Sequence, residues 1–452
     1  MRDIVWSATL KSNASLLRSI SKQLEESQWW SPEKLEQYQF LRLQKLLDHA
    51  YKTVPFYRQR LDKSGWAPGE AITRNSFRQL PILKRSDVNR AGNKLYANVV
   101  PGKHGRIREI STSGSTGNPV TILNTGLSKL VWDVITLRDH QWHKRDFSKS
   151  IAFIRHLTVN KSIAPEGTSY NSWGGPVAKV YATGPGYSLN IRSTATEQLD
   201  WLQKINPHYL VTFPSAAEAM AELSLKRNRQ ISNLCEVLTL GESLSASIIN
   251  TVNKAWGVPV TDCYSSKEAG YIALQAPDND YYLVQSEVVI VEILNDHNEP
   301  CKPGEIGRVV VTPLYNFAAP LIRYELDDFA EIGAPSDCGR GLPVLKKILG
   351  RSRNMLVLPN GEKRFPAIGI KSFNRENGEK IRKYQVIQET LDRMIIKLVM
   401  DPPYSEEEES CLRKHIQTRV NHPFDIKFIY LDDIPRGAGG KYEDFRSDVQ
   451  NP

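Results

Sequence analysis

The chain has 452 residues, room for about three domains or one large domain with a satellite, and its 40% hydrophobic, 24% charged and 9% aromatic residues exclude a disordered or fibrous protein. Fifty-nine Lys and Arg against 50 Asp and Glu leave a net charge of +9, and the segment 346–383 alone carries eleven basic residues against three glutamates, a face for something anionic. The five cysteines are scattered without a CxxC pair, so neither a disulfide framework nor a zinc site is expected; no run approaches the roughly 18 apolar residues of a membrane span, no cleavage-site pattern opens the chain, and a cytoplasmic protein with no integral membrane segment is expected.

The first predicted helix has Ser31 as N-cap and Pro32 at its first position, with Leu41, Leu43, Leu46 and Leu47 at helical spacing. A short second helix follows Pro55. From residue 107 the pattern changes, and short apolar runs at 151–154, 209–213 and 237–240 alternate with helix-like stretches such as 216–226, which indicates an α/β sheet domain. Around 281–333 strand follows strand, with 288–294 turning through Asn295-Asp296 towards 307–312, so an antiparallel sheet or small barrel closes this body. After Gly350 two apolar runs, a helix capped by Ser405 with four glutamates in its first turn, and a further run at 426–431 suggest a small α+β domain. The boundary falls at 350–353, giving a large N-terminal domain over 1–350 and a small C-terminal domain over 351–452.

The strongest local signal is Ser111-Thr112-Ser113-Gly114-Ser115-Thr116-Gly117-Asn118-Pro119, between strand-like 108–110 and 120–123. Glycines let the backbone approach a ligand and expose its N–H groups, and hydroxyls add donors, which together suit a chain of phosphate oxygens. Composition alone describes a mobile Ser/Gly surface loop better. A Walker A loop is absent, because the Gly440-Lys441 pair is followed by Tyr442.

Four further segments decide the matter: Tyr264-Ser265-Ser266-Lys267-Glu268, Arg323-Tyr324-Glu325-Leu326-Asp327-Asp328, Gly350-Arg351-Ser352-Arg353-Asn354 and Pro435-Arg436-Gly437-Ala438-Gly439-Gly440-Lys441. In this order they resemble the adenylate-forming superfamily of acyl-CoA synthetases and adenylation domains, and within it the phenylacetate:CoA ligase-like branch that includes capsule-biosynthesis proteins. The early Leu46-Leu47-Asp48-His49-Ala50-Tyr51 and Thr212-Phe213-Pro214-Ser215 are similar to that branch as well.

The resemblance implies a carboxylate that attacks the α-phosphate of ATP to give acyl-AMP and pyrophosphate, followed by acyl transfer to CoA or another thiol. Lys441, Glu268 and Thr116 are the implied catalytic residues. Thr112, Ser113, Gly114, Ser115, Thr116 and Gly117 would hold the β- and γ-phosphates, Glu268 would carry Mg²⁺, Tyr264 would stack on adenine with Ser265, Ser266 and Lys267 beside it, Gly241 and Glu242 would line the adenine side, and Asp328 would accept the ribose hydroxyls with Arg351 assisting. Arg155, His156, Phe213, Ser215, Ala269, Gly270 and Tyr271 would bound the acid, a modest and partly apolar one. The small domain would be mobile, turning about Arg353 to bring Lys441 to the reacting carboxylate.

Departures from the family pattern stand beside the matches. Lys267 occupies the place of the usual Thr or Ser, where it either replaces a hydroxyl contact or pairs with Glu268 and competes with Mg²⁺. Glu325-Leu326-Asp327 stands where relatives carry Arg-Thr-Gly or Arg-Thr-Arg, and Ser265 replaces a Gly. Cys338-Gly339-Arg340 is all that remains of a zinc patch some relatives have, so no metal is expected there. Two alternatives therefore stay open: an amide ligase whose acceptor is an amine in polysaccharide or natural-product biosynthesis, and a degenerate member that binds nucleotide without turnover. The partners implied are a small carboxylic acid and CoA or an amine, without nucleic acid, in a monomer or homodimer.

Overall fold

The computed structural model describes residues 14–111, 120–157, 161–351, 354–364, 366, 368–437 and 441–449. Of the residues singled out above, Thr112, Ser113, Gly114, Ser115, Thr116, Gly117, Asn118, Pro119, Ser352, Arg353, Ala438, Gly439 and Gly440 lie outside the described ones. The chain divides into two compact units, one ending at Ile348 and the other beginning at Leu349, within the strand Val344–Arg351.

The large unit is built on one 12-stranded sheet. Its centre is parallel: Val260–Ser266, Glu236–Leu240, Tyr209–Thr212, Ile151–Arg155 and Gly186–Asn190 lie side by side in that order. Three of them, at 151–154, 209–213 and 237–240, read as short apolar runs, in keeping with the helices that cover both faces of the sheet. Helices Ala195–Ile205, Pro214–Arg227 and Ala246–Trp256 supply one buried core, with Leu199, Trp201, Met220 and Val252 against Ile154, Leu210 and Val237. The other face belongs to a larger core that holds helix Gly126–Trp142 and the N-terminal helices Ala14–Ser27 and Pro32–Thr53. Ser31 caps the second of these, accepting from the Lys34 N–H, and Pro32 opens it.

Beyond Val260–Ser266 the sheet turns antiparallel, through Gly270–Gln275, Tyr282–Val284, Val344–Arg351, Tyr324–Ile332, Ile306–Pro313 and Val289–Leu294. The strand-after-strand segment is thus a wing of the same sheet. Asn295 turns the last hairpin, its side chain accepting from the His297 and Glu299 N–H groups. A separate two-stranded sheet pairs Arg108–Ser111 with Thr121–Asn124, Ser111 opposite Thr121.

The small unit carries a four-stranded sheet in the order Asp425–Tyr430, Arg393–Val399, Lys383–Gln388, Phe445–Ser447. Helix Glu406–Val420 packs on it through Leu412, Ile416 and Val420, against Met394, Ile396, Phe424 and Phe445. Ser405 and Glu408 form a reciprocal capping box at its start. Four glutamates in the first turn add the favourable end of the helix dipole.

Candidate active site

Parallel strands deliver their carboxyl ends to one edge of the sheet, where crevices form in open α/β folds. At this edge Ile151–Arg155 ends beside His156, Tyr209–Thr212 runs into Phe213-Pro214-Ser215, Glu236–Leu240 runs into Gly241-Glu242, and Val260–Ser266 runs into Lys267-Glu268. The sequence-predicted residues of four strands therefore share one rim. Gly241 sits at φ +77°, a backbone conformation that turns the chain off the strand end and that a Cβ would oppose. The Ser215 N–H donates to Glu242 Oε2 at 3.0 Å, so this carboxylate ties two neighbouring strand ends together at the start of helix Pro214–Arg227. Arg155 and His156 are exposed, the Arg155 guanidinium lying over its neighbour Phe153 at 5.0 Å. Phe213 is buried in the core cluster, and the turn presents its backbone and Ser215 instead.

Two bulges shape the rim beyond Val260–Ser266. The pairing of Val260–Ser266 with Gly270–Gln275 slips between Tyr264 and Ser265, and that of Ile306–Pro313 with Tyr324–Ile332 slips so that Arg308 faces Phe329 while Val310 faces Glu325. The second slip puts Leu326, Asp327 and Asp328 opposite Val309 alone, which pushes them out of the ladder. Asp327 takes φ +61° there, a left-handed turn that Asp tolerates better than most residues. The outcome is a contact between residues 64 apart in sequence: the buried Tyr264 hydroxyl donates to Asp328 Oδ2 at 2.7 Å.

Glu268 lies just past the strand end with its side chain 10% exposed, and Arg85 Nη1 stands 3.9 Å from Glu268 Oε1. Lys267 turns the other way. Its Nζ donates to the Ser111 carbonyl at 3.1 Å, bracing the strand that leads into the hydroxyl- and glycine-rich segment, so of the two roles weighed for it in the sequence the pairing with Glu268 is not the one adopted. Arg85 escaped the sequence reading because its chain neighbours only resemble a polar helix start. What places it is Leu83, which bonds both sides of Tyr324, its N–H donating to the Arg323 carbonyl at 2.8 Å and its carbonyl accepting from the Glu325 N–H at 3.0 Å. The short apolar run Pro81-Ile82-Leu83 was the available signal. Burial first, then the carboxylates of Glu268, Asp327 and Asp328, push the Tyr324 hydroxyl far up, against the pull of Arg85; that list shows how many charges meet around one buried ring.

Ala269, Gly270 and Tyr271 follow Glu268 directly. The Ala269 N–H donates to Ser266 Oγ at 2.9 Å and Gly270 takes φ +80°, closing the turn. Tyr271 packs its ring 4.5 Å from that of Trp132, and Thr136 Oγ1 donates to its hydroxyl at 3.4 Å. Trp132 is 37% exposed, an aromatic wall that the sequence reading did not name.

In the small unit, Lys441 is half-buried, its carbonyl accepting from the Gly437 N–H at 2.9 Å. Nearby, Lys383 Nζ bonds Asp433 at 2.9 Å and the Ile434 carbonyl, and the Tyr442 hydroxyl donates to the Tyr384 carbonyl. Arg351 ends its strand half-buried. Part of the basic segment is spent internally, with Lys346 on Asp280, Lys347 on Glu331 and Lys380 on Glu408.

Comparison with known proteins agrees with this geometry. Residues 360–447 match the family described as CapK C-terminal domain. The phenylacetate-coenzyme A ligase of Thermus thermophilus is 26% identical over 387 residues, 83% of each chain, and Protein CapK of Staphylococcus aureus is 20% identical over 423 residues, covering 88% of this chain and 86% of that one. A crystal structure of 2-hydroxyisobutyryl-CoA ligase in a postadenylation state superposes with a TM-score of 0.71 at 18% identity, over 91% of this chain and 89% of that one, and shares the fold. Over most of its length the chain is thus similar in sequence to phenylacetate-coenzyme A ligases and to Protein CapK, and in fold to a structure of an acyl-CoA ligase.

Proposed function

We propose that the protein activates a carboxylic acid with ATP, forming acyl-AMP and pyrophosphate, and then transfers the acyl group to the thiol of CoA. The observation that carries this reading is the pairing of Tyr264 with Asp328 beside Glu268 at the carboxyl edge of the parallel strands. It puts an aromatic face, a ribose-competent carboxylate and a metal-competent carboxylate within one stretch of rim.

The residues present fit Mg²⁺. Glu268 is one hard oxygen donor, and among the described residues no group of three His, Cys, Asp or Glu forms a cage; Mg²⁺ is the cation that takes one or two carboxylates and completes its shell with phosphate oxygens and water. Such an ion offsets phosphate charge and favours pyrophosphate as leaving group. Glu268 would hold it, and Arg85 beside that carboxylate adds a fixed positive charge on the same side. Asp328, with one oxygen taken by the Tyr264 hydroxyl, is oriented for the ribose. Lys441 supplies a cation for the carboxylate and α-phosphate, whose negative charge grows towards the transition state. Lys267, bound to the Ser111 carbonyl, leaves Glu268 to the metal, which favours turnover over a degenerate binding role.

The acid is bounded by Trp132 and Tyr271 on one side and by the Ser215 turn on the other. The test is pyrophosphate release from MgATP across aryl, fatty, hydroxy, amino and sugar acids, with and without CoA. Release that accelerates on adding CoA and yields a thioester supports the ligase. Release that ignores CoA and follows added amines moves the acceptor to an amine, and ATP binding without release for any acid ends the enzymatic reading. In the responsive pair, Lys441→Ala should lower acyl-AMP formation by about 10²–10³-fold, the scale of removing a transition-state electrostatic partner, while ATP affinity stays within about threefold.

A further inference from the structure

The two strands that flank the hydroxyl- and glycine-rich segment form a two-stranded sheet of their own, outside the 12-stranded one. An isolated hairpin of this size is marginal by itself, so its place is set by what grips it. One side chain grips it from inside the protein. Asn316, 4% exposed, donates from Nδ2 to the Leu123 carbonyl and to Asn124 Oδ1, both at 2.9 Å, and its Oδ1 accepts from the Ala318 and Ala319 N–H groups at 3.2 and 3.4 Å. All the hydrogen-bonding capacity of the amide is used. The Tyr96 hydroxyl adds a contact to the Thr121 carbonyl at 3.2 Å.

The segment bearing Asn316 is itself anchored. The Tyr315 hydroxyl meets that of Tyr38 at 2.6 Å, the Phe317 carbonyl meets His49 Nε2 at 2.9 Å, and the Pro320 carbonyl accepts from the Tyr57 hydroxyl at 2.9 Å. Four residues past Pro320 it becomes the strand Tyr324–Ile332, which carries Asp328. A single covalent stretch thus reaches both the hairpin and the ribose-competent carboxylate.

We infer that Asn316 is a positioning residue, which sets the two strands flanking residues 112–119 at a fixed separation from Asp328. The inference rests on the nucleotide reading of the site. It makes a prediction that a merely structural role would not, because AMP engages the adenine and ribose contacts alone whereas ATP also needs its β- and γ-phosphates placed. Misplacement of a binding group by about 1 Å can cost about 10²-fold in a reaction that depends on it.

The test is calorimetric titration of the full-length wild type, Asn316→Ala and Asn316→Asp with MgATP and, separately, with AMP. Asn316→Asp keeps an oxygen for the Ala318 and Ala319 N–H groups and removes both donors to the hairpin, so it reports even if the alanine variant fails to fold. The expected result is ATP affinity weakened about tenfold or more with AMP affinity within about twofold of wild type. Equal losses for both nucleotides, or ATP affinity unchanged, would overturn the positioning role while leaving the nucleotide reading intact. A wild type that binds neither nucleotide would sink that reading instead.

Discussion

The strand Val260–Ser266 has two ends that use the same residue types to opposite effect. At its buried end Thr261 donates to Glu236 Oε1 at 2.6 Å, Glu236 also takes two bonds from Arg145 at 2.8 Å each, and Arg145 reaches Asp139 at 2.6 Å. At its open end Glu268 has its cation, Arg85, at 3.9 Å. Burial works against the charged form of Asp139 and Glu236, yet Arg145 overrides it and holds both carboxyls below the ordinary range. The difference teaches where function is to be sought. Charges matched at hydrogen-bonding distance hold the sheet to helix Gly126–Trp142, whereas Glu268, equally buried, has its cation only at 3.9 Å, the looser pairing that the proposed metal role requires.

The sharpest way to break this contrast is Arg145→Ala, which strips the cation from two buried carboxylates. Removing one partner of a buried pair costs about 3–5 kcal/mol, because the remaining charge is left uncompensated. The expected outcome is that loss of stability in chemical denaturation, with adenylation per folded molecule near wild type. A variant as stable as wild type would mean that the buried cluster does not lock the sheet.

Glu268→Gln probes the other end. It keeps the shape and removes the charge, so pyrophosphate release should fall by about 10²-fold, some 2.7 kcal/mol, with a higher Mg²⁺ requirement and little change in stability. An unchanged Mg²⁺ titration would place the metal elsewhere.

The sequence disclosed the open end better than the buried one, and the reason is physical. Tyr264, Glu268 and Asp328 sit in short local patterns, because a strand end, a bulge and a turn each constrain consecutive residues. The α/β class was visible because three of the strands covered on both faces, at 151–154, 209–213 and 237–240, are short apolar runs between helix-like stretches. Arg85, Asn316 and the Arg145 cluster act through partners 183, 193 and 91 positions away, and nothing local marks an arginine or asparagine that will be buried by such pairing. The antiparallel wing was left open between a sheet and a barrel, since hairpin signals give pairing between neighbours but not whether the ladder joins the parallel strands.

The finest test of the buried end is its titration. Burial raises Asp262 to about 7, against hydrogen bonds from the Thr239 and Tyr282 hydroxyls at 2.7 and 2.8 Å. The unfolded chain releases that proton near 3.8, so from about pH 4 to pH 7 the folded state holds a proton that the unfolded one lacks, and this group lowers stability as pH rises. His140 does the reverse. Burial and then Arg145 bring it down to about 3 from 6.5, so between those values the unfolded state binds a proton that the folded state refuses, and stability rises with pH. One proton each way corresponds to about 1.4 kcal/mol per pH unit, and between pH 4.5 and 6.5 the two slopes oppose one another. Asp262→Asn should therefore make the slope of unfolding free energy against pH more positive than wild type by about 1.4 kcal/mol per unit, and His140→Gln should shift it by a similar amount the other way. All nine tryptophans lie in the large unit, so urea unfolding followed by their fluorescence reads this unit directly. Equal slopes in wild type and Asp262→Asn would mean that Asp262 ionises as it does in water, and that the end of the strand assigned here to structure is open as well.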